Sequence, residues 1–197
     1  MEGDHIMNIA SFILYCFIVT FSPGPTNIVI LSTTHHYGTK KAMQYTYGAT
    51  VAFGSLLLLS VLLNTLLMAI IPKVLVVMQL VGSLYMLYLA YQVYKMDVSK
   101  PTGNQTGTFW SGFVMQFINP KVILFTMTVI PSFVMPYYHD LPVLLTSAAG
   151  ITLIGFLAFL TWVLFGTLFR DFLQKYKKAV NVAMASFLVV AAVMLNG

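Results

Sequence analysis

The chain is short of charge, of cysteine and of acid. Only 8% of its 197 residues are charged, against roughly 25% in a soluble domain. That excludes an ordinary water-soluble globule. One cysteine, Cys16, permits no internal disulfide and builds no metal site alone. The five acidic residues, Glu2, Asp4, Asp97, Asp140 and Asp171, all lie at ends or in loops of the apolar pattern. An enzyme built on paired intramembrane carboxylates is therefore not expected, nor a proton relay of that kind. Nucleophile–base pairs are missing too, so no catalytic residues are assigned and no cofactor or metal is implied. The start, Met1-Glu2-Gly3-Asp4-His5, lacks the basic region of a cleavable signal peptide.

What the chain has is hydrocarbon. It is 59% hydrophobic with a mean hydropathy of +0.87. A membrane-spanning helix needs about 20 mainly apolar residues. Six such segments are read at roughly 6–34, 43–70, 74–94, 110–133, 142–168 and 179–196. The expected fold is all-α, with six transmembrane helices in one transporter domain, 1–197. Its halves, about 1–95 and 109–197, are joined by a polar linker at 96–108.

Net charge of +5 would suggest nucleic acid in a soluble protein. Here the partner is the lipid bilayer, because the basic residues segregate. Lys40, Lys41, Lys95, Lys100, Arg170, Lys175, Lys177 and Lys178 fall in the first, third and fifth loops, and Lys73 alone falls on the other side. By the positive-inside rule the odd loops face the cytoplasm and both termini face outward. Phe109 and Trp110 stand where the fourth span enters, as an aromatic belt would.

Two spans are interrupted. Ser22-Pro23-Gly24-Pro25-Thr26-Asn27 cuts the first, and Asn119-Pro120-Lys121 lies inside the fourth. Proline removes a donor and clashes with the preceding turn. In hydrocarbon the freed backbone groups must be met by protein or by water in a cavity. Paired broken helices in two halves are the best sequence pointer to a transport site, here a 3+3 inverted repeat with helices 1 and 4 broken. Helices two and five also share internal glycines, Gly48 and Gly54, then Gly150 and Gly155.

The site is expected at these breaks. Lys121 comes about ten residues into its span, on the order of 15 Å deep. An intramembrane lysine is a functional hypothesis by default, and its ammonium suits a substrate carboxylate or serves as a proton carrier. The bland alternative is a snorkelling anchor. Beyond Pro25 a new half-helix begins with Thr26 and Asn27 in its first turn, and its N-terminus also suits an anion. Gln116 and Asn181 are read as interhelical hydrogen bonders, and His35-His36 as interfacial. Gly48-x-x-x-Ala52 is a close-packing pattern.

These residues resemble the LysE/RhtB amino-acid exporter family along nearly the whole chain. The specific parts are Pro23-Gly24-Pro25, Gly38, Gly48 to Gly54, Gly82-Ser83-Leu84-Tyr85, Asn119-Pro120-Lys121 with Phe125, and Pro131-Ser132-Phe133-Val134. The resemblance implies export of amino acids or derivatives across the bacterial inner membrane, driven by the proton gradient. Many members carry an acid just after the second glycine of helix two, where this chain has Ser55. That weighs against a cationic substrate. The stretch from Phe109 to Asn119, and Lys175-Tyr176, resemble the cysteine and O-acetylserine exporter branch. The expected substrate is a small neutral amino acid, its carboxylate on Lys121 or the half-helix, its side chain facing Tyr47, Gly48 or Tyr85. A passive channel for the same solutes is the alternative. Assembly as a homo-oligomer is left open.

Overall fold

A computed structural model of the chain describes residues 7, 9–22, 24–63, 84, 87–88, 90–91, 94–95, 107–169, 172, 175–176 and 177–194. Among them are seven helices and no strand: α1 (Ile9–Phe21), α2 (Pro25–Tyr37), α3 (Thr39–Leu62), α4 (Phe109–Ile118), α5 (Pro120–Phe133), α6 (Leu141–Leu168) and α7 (Lys177–Met194). The third expected span, 74–94, lies mostly outside the described residues, as do Pro23, Tyr85 and most of the 96–108 linker.

Helix boundaries follow local chemistry. Pro25 occupies the first turn of α2 and Pro120 that of α5, where a missing N–H costs nothing. Thr108 and Ser111 form a reciprocal capping box at the start of α4, with both bonds 3.1 Å long. Between α2 and α3 the chain turns at Gly38 with φ +81°, a conformation that a side chain resists.

Helices α3 and α6 are each long and apolar enough to cross a membrane. Their 24 and 28 residues span on the order of 36 and 42 Å, more than the ~30 Å hydrocarbon core. The pair α1–α2, bent by 48°, and the pair α4–α5, bent by 68°, each pass the same test as one bent span. That makes up to four spans among the described residues. Helix α7 occupies the place of the sixth expected span.

α3 is the central strut. It packs on α4, α5, α6 and α2. A Cβ on Gly48 would strike the Phe109 carbonyl, and one on Gly112 would strike that of Tyr45. Glycine on each helix thus lets two backbones touch, as the Gly48-x-x-x-Ala52 pattern anticipates. α3 also crosses α6 glycine to side chain: Phe53 lies over Gly155, and Thr152 over Gly54. One apolar cluster joins α2 to α3 and α6, and a second joins α1, α3, α5 and α6.

α2 runs inside this frame, and every residue from Pro25 to His35 is buried. His35, in the last turn of α2, is 1% exposed and so lies among helices. That stretch packs against α3, α6 and α7. His36 Nε2 pairs with Asn181 Oδ1 of α7 at 3.2 Å, which makes Asn181 the interhelical bonder expected.

Candidate functional site

An α-helix that stops in hydrocarbon leaves its last carbonyls without partners. At the end of α1 each one is met by a side chain. Val19 O accepts from Ser22 Oγ at 3.0 Å. Thr20 O accepts from Asn27 Nδ2 at 3.1 Å, and Phe21 O from Trp162 Nε1 of α6 at 3.3 Å. Ser22 O accepts twice, from Asn27 Nδ2 and from Lys121 Nζ, both at 2.9 Å. The sequence reading missed Ser22 and Trp162 in this role. Ser22 heads the proline motif, but nothing in the pattern tells which helix face meets it.

The second break is laced to the first. Asn119 caps α5 by accepting from Lys121 N at 3.1 Å. Its Nδ2 donates across to Thr26 Oγ1 in the first turn of α2 at 2.9 Å. Gln116 Nε2, in the last turn of α4, donates to the same hydroxyl at 3.1 Å. Both polar interruptions therefore meet at one place, and Thr26 is the knot.

Lys121 is the charge at that knot. Its Nζ donates to Ser22 O and Ser22 Oγ, both at 2.9 Å. An ammonium has three donors, and neither of these partners is anionic. A Cβ on Gly24 would come within 3.1 Å of both Cδ and Nζ of Lys121, so glycine there leaves the lysine room to lie against the break. This side chain turns inward to α1 rather than out along the bilayer.

A cavity opens beside it, lined by Val19, Thr20, Gly24, Thr26, Asn27, Phe53, Asn119, Lys121, Val122, Phe125, Gly155 and Phe159. Phe53 stacks on Phe125 at 6.0 Å and meets Phe159 edge-on at 6.3 Å. Among the described residues the lining has one ammonium, two carboxamides and an aromatic wall, and no carboxylate. Water-sized molecules can centre themselves in about 30 Å³ of it, room for about two waters.

Of the expected site residues, Gly24, Thr26, Asn27, Asn119 and Lys121 come together here. Pro25 and Pro120 are buried at the two half-helix starts but do not line the cavity. Gly48 packs against α4. Tyr47 is 50% exposed and stacks on Phe156 at 6.4 Å, on the outer face of α3 and away from the cavity. Pro23 and Tyr85 are outside the described residues. Ser55 is partly exposed, and its hydroxyl is spent on Val51 O at 2.8 Å. The aromatic wall of Phe53, Phe125 and Phe159 was not read from the sequence, where these are three apolar residues among many.

Comparisons with known proteins place the whole chain. The family model described as LysE type translocator matches residues 17–196. The cysteine/O-acetylserine efflux protein of Klebsiella pneumoniae subsp. pneumoniae is 31% identical over 194 residues, 95% of this chain and 96% of the relative. The protein of the same name from Escherichia coli strain K12 is 28% identical over 189 residues, with the same coverage of each chain. No solved structure matches significantly. With a match over most of its length, the chain belongs to the LysE type translocator family.

Proposed function

We propose that this protein exports a small neutral amino acid or derivative, of the cysteine or O-acetylserine kind, out of the cytoplasm, driven by the proton gradient. The observation that carries the reading is the Lys121 ammonium, held by two uncharged oxygens where both breaks meet, beside a cavity without a carboxylate. Such a group favours an anion. A substrate carboxylate takes the place of Ser22, and a small uncharged side chain rests on Phe53, Phe125 and Phe159. A cationic side chain finds no acid in the lining. The names of the relatives support the same substrate class.

The setting is the bacterial inner membrane, with six spans, both termini outside and the two halves as an inverted repeat. The charge segregation supports that orientation. The matched glycines of α3 and α6, and the proline-started half-helices α2 and α5, support the repeat.

Transport by purified protein in proteoliposomes tests the reading. Uphill movement of cysteine or O-acetylserine that collapses with an uncoupler is the expected result. Downhill flux indifferent to the uncoupler makes the protein a facilitator instead. Lys121→Met keeps much of the stem and removes the charge. A charge-assisted bond contributes about 1.5–3 kcal/mol, so substrate affinity falls about tenfold or more. A variant that binds and exports like the parent leaves Lys121 a structural tie to α1, and the carboxylate with the α2 N-terminus.

A further inference from the structure

Asn27 is 3% exposed and lines the cavity. Its amide nitrogen is committed twice, to Thr20 O and Ser22 O. Those two carbonyls fix the orientation of the carboxamide, because the flipped form would set oxygen against oxygen. The other end, Oδ1, is buried and has no hydrogen-bond partner among the described residues. A buried acceptor left unmade is costly, and one that persists at a cavity asks for an explanation. Ile28 N, next along the chain, does not supply one, since it is already bonded to Gly24 O at 3.0 Å.

The neighbour of this acceptor is the cation. Asn27 Nδ2 and Lys121 Nζ both sit 2.9 Å from Ser22 O, so a donor on one oxygen and an acceptor-bearing amide stand side by side in one wall. An α-amino acid carries the complementary pair: a carboxylate and an ammonium on adjacent atoms. We infer that Asn27 Oδ1 receives the substrate α-ammonium, while Lys121 receives the carboxylate. The site therefore reads the zwitterionic head group, and requires a free α-amine. This deepens the proposed function and rests on it. The physical consequence is selectivity within one chemical family. O-acetylserine has a free amine and is accepted. Its N-acetyl isomer has the same composition but no ammonium, and is rejected. A site built to bond a group discriminates strongly against an analogue that lacks it, because its own polar atom is then left unmade.

The test uses the purified full chain and ligand-induced thermal stabilisation, with competition in proteoliposomes as a second readout. The probes are L-cysteine, O-acetyl-L-serine, N-acetyl-L-cysteine, N-acetyl-L-serine, 3-mercaptopropanoate, which lacks the amine, and cysteamine, which lacks the carboxylate. Cysteine or O-acetylserine should bind at least about tenfold more tightly than any probe without a free amine. In Asn27→Ala, that preference over 3-mercaptopropanoate should collapse while the preference over cysteamine persists. In Lys121→Met the pattern should reverse. Equal binding of cysteine and 3-mercaptopropanoate by the parent protein would overturn the inference and leave the export reading standing. Binding of neither cysteine nor O-acetylserine would overturn the reading, and the inference with it. Asn27→Ala also frees Thr20 O and leaves Ser22 O to Lys121 alone, so it is the variant at risk of misfolding; the probe series on the parent protein decides the question without it.

Discussion

The two breaks look alike in sequence and are satisfied in opposite ways. At the α4–α5 break only Asn119 leaves the helix. Its N–H still bonds Met115 O at 2.9 Å, and its carbonyl accepts from Ile123 N at 3.0 Å. Its side chain caps α5 from within. That junction is bent by 68°, yet it needs little from elsewhere. At the α1–α2 break the last carbonyls have no backbone partner, and beyond Ser22 itself the donors come from α2, α5 and α6. One break is self-capped and supplies donors. The other is a row of acceptors completed by its neighbours. A ligand that competed for Lys121 would withdraw a donor from the first break and leave the Asn119 cap of the second in place.

Asn119→Leu is the sharpest way to break this comparison. It removes the α5 cap and the tie to Thr26 together. A lost cap costs about 0.5–2 kcal/mol, and an interhelical bond in a membrane about 0.6–1.7 kcal/mol. The variant should be the least stable of the series in detergent thermal unfolding, and inactive in export. Unfolding like the parent would mean that the second break is held by packing alone.

Gly24→Ala probes the first break more gently. Gly24 has φ −161°, an extended backbone open to any residue. The added Cβ would meet the mobile end of Lys121 at 3.1 Å, and that end can yield by a few tenths of an ångström. Stability should stay within about 0.5 kcal/mol. Substrate affinity should fall a few-fold, because Lys121 no longer rests in its groove. Affinity loss without stability loss, read by ligand titration, is the expected signature; unchanged affinity would detach Gly24 from the site.

How much of this was legible in the chain follows from what one-dimensional patterns carry. The prolines at 25 and 120 and the lysine at 121 are helix breakers and a charge in hydrocarbon, so their positions stand out wherever the helices face. The glycines at 48 and 112 stand out through spacing or resemblance. Tyr47, His35, Ser22 and Trp162 depend on rotation about the helix axis. That angle is normally read from an apolar stripe, and these helices are apolar on every side. Tyr47, expected at the site, is 50% exposed, and His35, expected at the membrane interface, is buried among helices. Ser22 and Trp162 needed the packing of α1 against α5 and α6 before their partners had names.

Trp162→Phe should have the smallest effect, and it tests whether the first break is held collectively. The indole donates to Phe21 O at 3.3 Å, a long bond. Phenylalanine keeps a ring near Phe165, whose centroid lies 6.3 Å from that of Trp162, and loses the N–H with one ring of the indole. If the acceptor row is shared among Ser22, Asn27 and Lys121, the lost bond costs about 0.6 kcal/mol, the average for such bonds in membranes. Export should continue at close to the parent rate, since Trp162 does not line the cavity. Thermal unfolding of Trp162→Phe beside Asn119→Leu gives the answer directly. Should Trp162→Phe prove as damaging as Asn119→Leu, then the end of α1 hangs on one donor from α6, and it is α6, not the ligand at Lys121, that controls whether the first break can move.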